Sequence, residues 1–338
     1  MNNNLQAFNT FGISSSTANL HHVRKLSDFP SDSYDPASWF ILGGGSNVLF
    51  VDEAPEHILL LENEKILYLD RGDEVHVKVQ AGVKWHELVK DTLARGYSGL
   101  ENLALIPGKV GAAPIQNIGA YGVEICDRFV SLTAWDLKKS ELIEFNLKGC
   151  EFDYRDSFFK SDKGQSYCIW EVTLRLDKHF EPVLGHQGLI ALKDKPDLTA
   201  QDVFDSVCEI RSSKLPDPEI TGNAGSFFKN PLIDMPQYSD LLRRYPNIVA
   251  YPQKHKMWKL AAGWLIDQCG LKGYRTGNAG VHDRQALVLV NHGNATGTEI
   301  VNLARYIQDK VFEQFGVKLE PEVNIIGKQG KISLDDVT

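Results

Sequence analysis

The chain has 338 residues, 43% of them hydrophobic and 24% charged, with a formal net charge of -8. This is the composition of a globular protein long enough for two or three domains, and it excludes a disordered or membrane-spanning chain. The acidic excess argues against nucleic-acid binding, which needs a broad basic surface. The first twenty residues lack the basic and apolar regions of a secretory leader, so we expect a cytosolic protein that does not bind membranes.

Short strands dominate the predicted structure from about residue 40 to 180. Apolar runs and period-two alternation predict strands over 39–42, 48–51, 58–61, 66–69, 75–80 and 170–177. Between them, Trp85, Leu88, Val89, Thr92 and Leu93 form one face of a helix that Gly96 can end.

The chain is predicted to turn helical beyond residue 195. Thr199 and Asp202 form a capping pair before the first of these helices, and two prolines after Lys214 mark a boundary at 215–218. The clearest helix starts with a Thr296–Glu299 capping box, continues to Phe315 and stops at Gly316. The fold class is therefore α+β.

The five cysteines are scattered, and no two of them form a CxxC pair. This spacing predicts neither a disulfide framework nor a metal site, and we expect buried, reduced thiols. Local basic groups that could meet an anionic ligand occur near Arg211, Lys214 and Lys229 and at Lys254, Lys256, Lys259 and Lys272. For any single one of them, a solvated surface side chain is the preferred interpretation.

The first candidate site is the glycine run Gly43, Gly44, Gly45, Ser46 and Asn47, which lies between two predicted strands. No lysine and no helix follow directly, so the run is neither a P-loop nor a Rossmann fingerprint. Its backbone N–H groups could converge on a pyrophosphate. A tight hairpin without a ligand is the alternative.

The second candidate is the small-residue loop 106–122, which is apolar for a connection. Glycine and alanine allow close approach of the backbone to a flat ring such as an isoalloxazine. A buried packing turn explains the same residues. The candidate contact residues in this loop are Gly108, Gly111, Ala112, Asn117, Ile118 and Gly122.

Three further positions carry reactive groups. Ser226 stands between small residues and an aromatic pair, where its hydroxyl could deliver a proton or simply form a turn. Glu322 stands at the start of an apolar strand, which requires a partner or a function for its carboxylate. Arg155 lies beside aromatic residues and could equally form a surface ion pair.

Taken together, six segments in order resemble the UDP-N-acetylenolpyruvoylglucosamine reductase family, known as MurB. They are Gly43–Asn47, Ile106–Gly122, Tyr154–Arg155, Lys214–Pro216, Gly225–Pro231 and Glu320–Glu322. The resemblance covers nearly the whole chain and is closest to the longer-loop (type I) branch. It implies a non-Rossmann FAD-binding fold of two α+β lobes with a C-terminal α+β substrate domain. The implied domains are 1–63 with 322–338, then 64–213, then 214–321.

The resemblance also implies a reaction. FAD would be the cofactor and NADPH the cosubstrate, with hydride passing from NADPH to FAD and on to UDP-N-acetylglucosamine enolpyruvate to give UDP-N-acetylmuramate. By the family's motif positions, Ser226 would donate the proton, and Glu322 and Arg155 would stabilise the developing enolate or its carboxylate. No metal is implied, and we expect a monomer.

Substrate-binding positions follow from the same resemblance. They are Lys214, Asn230, Tyr251, Lys272 and Gln285, with His186 standing where the longer-loop branch has a tyrosine over the diphosphate. A flavin oxidase and a non-catalytic nucleotide-sugar binding protein are the rival interpretations, and the segment around Ser226 argues against both.

Overall fold

The computed structural model describes residues 3–30 and 34–337, which pack as two compact units. One unit contains the chain up to Thr17, Ser46–Ala54 and everything from Lys214 onward. The other contains Ala18–Gly45 and Pro55–Ser213. The three-domain division of the sequence analysis stays a prediction.

Helices occur in both units. The described residues form the α-helices α1 Trp85–Ala94, α2 Ala200–Lys214, α3 Met235–Arg244, α4 Ala262–Gln268 and α5 Gly297–Phe315. They also form short 3-10 helices at Gln6–Phe8, Leu26–Asp28, Glu101–Leu103, Val110–Ala112, Pro114–Gln116, Ile125–Asp127, Phe158–Lys160, Gly164–Ser166, Gln187–Asp194, Lys254–Lys256 and Leu334–Asp336.

The unit that contains α1 and α2 is built on a five-stranded antiparallel sheet. Its strands, in spatial order, are Glu141–Asn146, Phe129–Asp136, Tyr167–Asp177, Glu74–Gln80 and Ile66–Asp70. Val75, Val77 and Val79 are buried in one core with α1, so the alternation read from the sequence is confirmed. A parallel sheet, in the order Asn19–Val23, His57–Leu61, Trp39–Leu42, and a short ribbon, Gly119–Ala120 with Val123–Glu124, complete this unit.

The other unit contains a four-stranded antiparallel sheet covered by α5 on one face. Its strands, in spatial order, are Gly222–Ser226, Val288–Asn291, Ala279–Val281 and Arg275–Thr276. Two three-stranded sheets accompany it. In spatial order, the strands of one are Leu232–Asp234, Met257–Leu260 and Ala250–Pro252, and those of the other are Gly330–Ile332, Asn324–Gly327 and Val48–Phe50. A two-stranded ribbon pairs Asn3–Asn4 with Ser16–Thr17.

Helix boundaries agree with the capping signals. Thr296 and Glu299 exchange both bonds of the capping box, and Gly316 ends α5 in the left-handed region with φ 66°. The Thr199 hydroxyl donates to Asp202 at 2.8 Å before α2, which ends at Lys214, directly before the predicted boundary at 215–218. The prediction of a mainly helical chain beyond residue 195 is wrong, because seven short strands lie between α2 and α5 within the described residues.

Candidate functional site

Ser226 lies at the end of a strand, on the sheet face away from the helices. It pairs directly with Val288, and directly paired residues of antiparallel strands project to the same side. The next residue, Leu289, packs with α5 in the core, so Val288 and Ser226 face the opposite side. A register shift between Asn223 and Ser226, with Gly225 at φ 69°, redirects the chain just before the serine.

Glu322 lies in the same unit, on a segment that pairs with the two residues after Ser226. Its backbone N–H donates to the carbonyl oxygen of Phe227 at 2.8 Å, and Phe228 forms an antiparallel bridge with Pro321. Phe227 and Phe228 have no exposed surface, so the core anchors this pairing. Glu322 precedes the strand Asn324–Gly327 by two residues, so its predicted place at the start of the strand is wrong.

The glycine run does not form a hairpin, and that alternative is wrong. The strand Trp39–Leu42 before it pairs with His57–Leu61, whereas the strand Val48–Phe50 after it pairs with Asn324–Gly327. The run therefore joins two different sheets. Its last residue reaches Glu322, because the Asn47 side-chain nitrogen donates to the Glu322 carbonyl at 3.3 Å. Ser46 lies in the same unit as these two residues.

The run packs against the second candidate loop. A Cβ added to Gly44 would lie 2.7 Å from Cα of Gly108, and one added to Gly43 would lie 2.9 Å from Cβ of Ala112. Gly45 and Gly108 both have positive φ, at 66° and 110°, which glycine adopts without strain. The two candidate cofactor segments are thus adjacent in one surface of small residues.

The backbone of the second loop is largely engaged within the protein. The N–H groups of Gly111, Ala112, Asn117 and Ile118 donate to carbonyl oxygens of Ala81, Lys109, Pro114 and Ala113 at 3.0–3.2 Å. A cofactor held here would use carbonyl oxygens, side chains or shared donors. Gly111 allows the loop to approach the sheet, because its Cβ would lie 2.5 Å from Cβ of Ala81. Gly122 is exposed, with φ 88°.

The buried Asn117 side chain holds this loop in place through hydrogen bonds. The residue is buried in the left-handed region with φ 43°, and its amide nitrogen donates to the Glu124 carboxylate at 2.9 Å and to the Asp153 carbonyl at 3.1 Å. Its side-chain oxygen accepts from the Cys126 N–H at 3.2 Å. The side chain therefore supports the loop rather than presenting free hydrogen-bonding groups.

Arg155 lies near a second arginine, Arg211, which the sequence analysis named only as part of a basic cluster. Arg155 is half-buried with φ 54°, and one of its terminal nitrogens would lie 3.5 Å from a Cβ added to Gly119 in the loop. Arg211 projects from α2 into the same unit. Burial lowers the pKa of Arg211, an effect opposed by the Tyr121 hydroxyl and reinforced by the positive charge of Arg155.

The Arg211 side chain has the character of an anion-binding group. Its Nε atom is buried and has no hydrogen-bond acceptor among the described residues. Buried guanidinium groups are normally paired with an anion, so this position fits a bound carboxylate or phosphate. The sequence contained a signal that the Arg211 side chain is buried. Val203, Val207 and Arg211 recur at four-residue spacing, which places a charge on the apolar face of the helix.

His186 stands at the edge of this arginine cluster. Its ring packs edge-to-face on Tyr121 with centroids 4.8 Å apart. The N–H of Gly188 donates to His186 Nδ1 at 3.1 Å, at the start of the 3-10 helix Gln187–Asp194. With Nδ1 as acceptor, a neutral His186 carries its proton on Nε2, which is then a donor.

Two of the predicted substrate residues meet at the start of α4. The side-chain oxygen of Asn230 accepts from the Ala262 N–H at 2.9 Å. A Cβ added to Gly263 would lie 3.0 Å from Oε1 of Gln285. Asn230 thus satisfies one of the N–H groups that a helix start leaves open.

The other predicted substrate residues in this unit are more dispersed. Lys272 pairs with Asp267 near the end of α4, with 2.9 Å between Nζ and Oδ2. Tyr251 is 44% exposed and pairs with Lys259 across two strands, and Lys214 is the last residue of α2.

Within 3–30 and 34–337, no group of three or more His, Cys, Asp or Glu side chains is placed to hold a metal ion. In the same ranges, no helix is both long and apolar enough to cross a bilayer. Burial raises the pKa of the Cys150 thiol to about 12, and the five cysteines are unpaired thiols.

Two family models match the chain. Residues 217–326 match the C-terminal domain of UDP-N-acetylenolpyruvoylglucosamine reductase, and residues 34–146 match an FAD binding domain. The chain is 46% identical to the UDP-N-acetylenolpyruvoylglucosamine reductase of Shewanella oneidensis over 98% of both chains. The corresponding reductase of Burkholderia ambifaria is 49% identical over 94% of both.

The chain belongs to the UDP-N-acetylenolpyruvoylglucosamine reductase (MurB) family. It is an FAD-dependent oxidoreductase with an α+β fold, as expected from the sequence. The crystal structure of the MurB protein of Thermus caldophilus has the same fold, with a TM-score of 0.68 over 96% of this chain and 100% of that chain at 24% identity. The FAD-binding match spans both small-residue loops that the structure brings together.

Proposed function

We propose that this MurB-family protein reduces UDP-N-acetylglucosamine enolpyruvate to UDP-N-acetylmuramate with NADPH, a step of peptidoglycan precursor synthesis. The observation that carries this proposal is the backbone bond from Glu322 to Phe227, which brings the Glu322 segment next to the residue that follows Ser226. A hydroxyl and a carboxylate on two segments joined by backbone bonds suit a reaction that adds a proton to one carbon of a double bond. The names of the relatives support the same reaction.

The residues present fit FAD. The contact between Gly44 and Gly108 leaves no room for a side chain, and it creates one surface from Gly43–Gly45 and the loop around Gly108. These segments are proposed to hold the cofactor's pyrophosphate and ring, and the family resemblance alone adds Ser46, the next residue in the chain. When bound, FAD supplies hydride transfer between NADPH and the substrate's double bond.

Ser226 is proposed to deliver the proton. Addition of hydride to one carbon of the enolpyruvyl group leaves negative charge on its neighbour, and the serine O–H bond breaks as the new C–H bond forms there. The short strand Gly222–Ser226 holds the hydroxyl on a rigid sheet, which favours a fixed direction of transfer. Glu322 is proposed to assist from the neighbouring segment.

The two arginines are proposed to stabilise negative charge on the substrate. Arg155 would bind the carboxylate on which the enolate charge develops, by analogy with the family. Arg211 is added to this role here because its buried Nε lacks an acceptor among the described residues. Charge-assisted bonds of this kind contribute about 1.5–3 kcal/mol each.

The diphosphate and sugar are proposed to contact Lys214, Asn230, Tyr251, Lys272 and Gln285. Asn230 and Gln285 both reach the start of α4, so a ligand held by one is near the other. His186 is proposed to take the place of the tyrosine of the longer-loop branch, with Nε2–H as the donor to phosphate. We also propose that the protein is a cytosolic monomer.

The experiment uses the purified flavoprotein without oxygen. We expect NADPH to bleach the flavin and UDP-N-acetylglucosamine enolpyruvate to restore its colour, with UDP-N-acetylmuramate formed in equal amount. Colourless protein that still binds the nucleotide sugar would support a binding protein instead. A flavin that is reduced by an alcohol or sugar and reoxidised only by oxygen would support an oxidase.

A further inference from the structure

We propose that Asn47 is a positioning residue for Glu322, acting through its side-chain amide rather than as a ligand of the cofactor. The proposal rests on the proposed function, because it assigns Glu322 a part in the reaction with the enolpyruvyl sugar. It changes the expected role of Asn47, which the sequence analysis placed among the cofactor-binding residues.

The Glu322 backbone is held from both sides. Its N–H donates to the Phe227 carbonyl at 2.8 Å, and its carbonyl accepts from the Asn47 side-chain nitrogen at 3.3 Å. The preceding residue is Pro321, whose ring fixes φ. With both peptide groups of Glu322 bonded, its side chain leaves the backbone in one direction.

Asn47 is itself firmly placed. Its carbonyl accepts from the Asn324 N–H at 3.1 Å and from the Asn324 side-chain nitrogen at 3.2 Å. The parallel ladder between Val48 and Asn324 begins at this point. The bond from the Asn47 side-chain amide to the Glu322 carbonyl therefore extends this ladder by one hydrogen bond, just before its first pair of strand residues.

The bond between Asn47 and Glu322 matters because of where Asn47 lies in the sequence. Asn47 directly follows the run Gly43–Ser46, which is proposed to hold the FAD pyrophosphate. The segment that would hold the cofactor thus ends in the side chain that orients Glu322.

The test compares the two half-reactions of the Asn47→Ala holoenzyme. The variant keeps the backbone of the run, so we expect unchanged flavin content and a rate of flavin reduction by NADPH within about twofold of wild type. Reoxidation by the enolpyruvyl sugar should slow by roughly 3- to 10-fold, the effect of one hydrogen bond near 1 kcal/mol. If the alanine variant does not fold, Asn47→Ser serves in its place.

Asn324→Ala is the matched control. It removes one bond to the Asn47 carbonyl but leaves the bond from Asn47 to Glu322, and the Asn324 backbone N–H still donates to Asn47. Reoxidation of this variant should remain within about twofold of wild type. Equal slowing in both variants would indicate general loosening of the sheet and would overturn the proposal.

Two other results would also overturn it. Loss of flavin from Asn47→Ala in proportion to lost turnover would make Asn47 a cofactor ligand, and unchanged reoxidation would leave it no role in the reaction. Failure of the proposed function looks different, because the wild-type flavin itself would then not be reoxidised by the enolpyruvyl sugar.

Discussion

The N–H of Phe227 donates to the carbonyl of Leu287 at 2.8 Å, while the Phe227 carbonyl accepts from Glu322 at the same distance. Phe227 therefore links the four-stranded sheet to the segment that carries Glu322. Its ring is fully buried, so this link is part of the core. Core packing therefore holds the backbone next to Ser226 and Glu322, and either side chain can be replaced without removing this support.

Replacement of Ser226 by alanine should separate the two half-reactions. We expect flavin reduction by NADPH to stay near the wild-type rate, and reoxidation by the enolpyruvyl sugar to fall by roughly 10² to 10⁴, the usual contribution of a positioned acid. Stopped-flow absorbance of the flavin measures both rates. Ser239→Ala, on the exposed face of α3, is the control. Equal damage to both half-reactions would remove Ser226 from the role of proton donor.

Replacement of Gly44 by alanine should destabilise the cofactor-binding surface. The new Cβ would lie 2.7 Å from Cα of Gly108, a backbone atom that cannot rotate away as a side chain can. We expect a loss of roughly 1–3 kcal/mol in the free energy of unfolding, together with reduced flavin content. Gly149→Ala is the control, since its nearest neighbours lie 3.6 Å away. A variant with full flavin content and unchanged melting temperature would contradict this account of the two loops.

The sequence predicted correctly those helices and strands whose signals lie in neighbouring residues. The capping box of Thr296 and Glu299 and the alternation of Val75, Val77 and Val79 are read from neighbouring residues, and both are present. The strand Gly222–Ser226 was missed because glycine, asparagine and serine have low strand propensity. Its hydrogen bonds come from the remote strand Val288–Asn291, so tertiary pairing overrides propensity there.

The candidate site was only partly predictable for the same reason. Motifs identified Ser226, Glu322 and the glycine run one by one, yet the bond from Asn47 to Glu322 spans 275 positions in the sequence. The spacing of residues in a sequence does not predict a contact between positions so far apart. Arg211 was read only as part of a basic cluster, because its burial depends on how α2 packs.

The buried carboxyl group of Glu101 should make stability depend on pH. Burial raises the pKa of Glu101, although the Gly99 N–H donates to it at 2.6 Å and Arg128 attracts its charge. An acid whose pKa is higher in the folded state binds more protons there, so stability falls as the pH rises above its unfolded pKa of about 4.3. Glu101→Gln keeps an acceptor for Gly99 but does not ionise.

We therefore expect Glu101→Gln to gain stability relative to wild type as the pH increases from about 4 to 7. Urea unfolding at several pH values measures the difference. Glu87→Gln, on the exposed surface of α1, is the matched control for replacement of a carboxylate by an amide. If wild type instead gained stability over Glu101→Gln with rising pH, the attraction of Arg128 would outweigh the cost of burial.

Replacement of Arg211 by methionine should weaken substrate binding without lowering the stability of the protein. The substitution removes a buried charge whose Nε lacks an acceptor in the described chain, and it keeps much of the side-chain volume. Without substrate, we expect the free energy of unfolding to stay the same or to rise by roughly 1 kcal/mol. The KM for the enolpyruvyl sugar should rise about 10- to 100-fold, because a charge-assisted bond to an anion is lost.

Thermal unfolding and steady-state kinetics on the same preparations measure both effects, with Arg243→Met on the exposed face of α3 as the control for charge removal. A higher KM together with unchanged or higher stability distinguishes a ligand-binding arginine from a structural one. A structural guanidinium would be satisfied by the protein, so its removal would leave unpaired acceptors and lower stability with little change in KM. That pattern in Arg211→Met would assign the residue to the framework of its unit and leave the anion to Arg155.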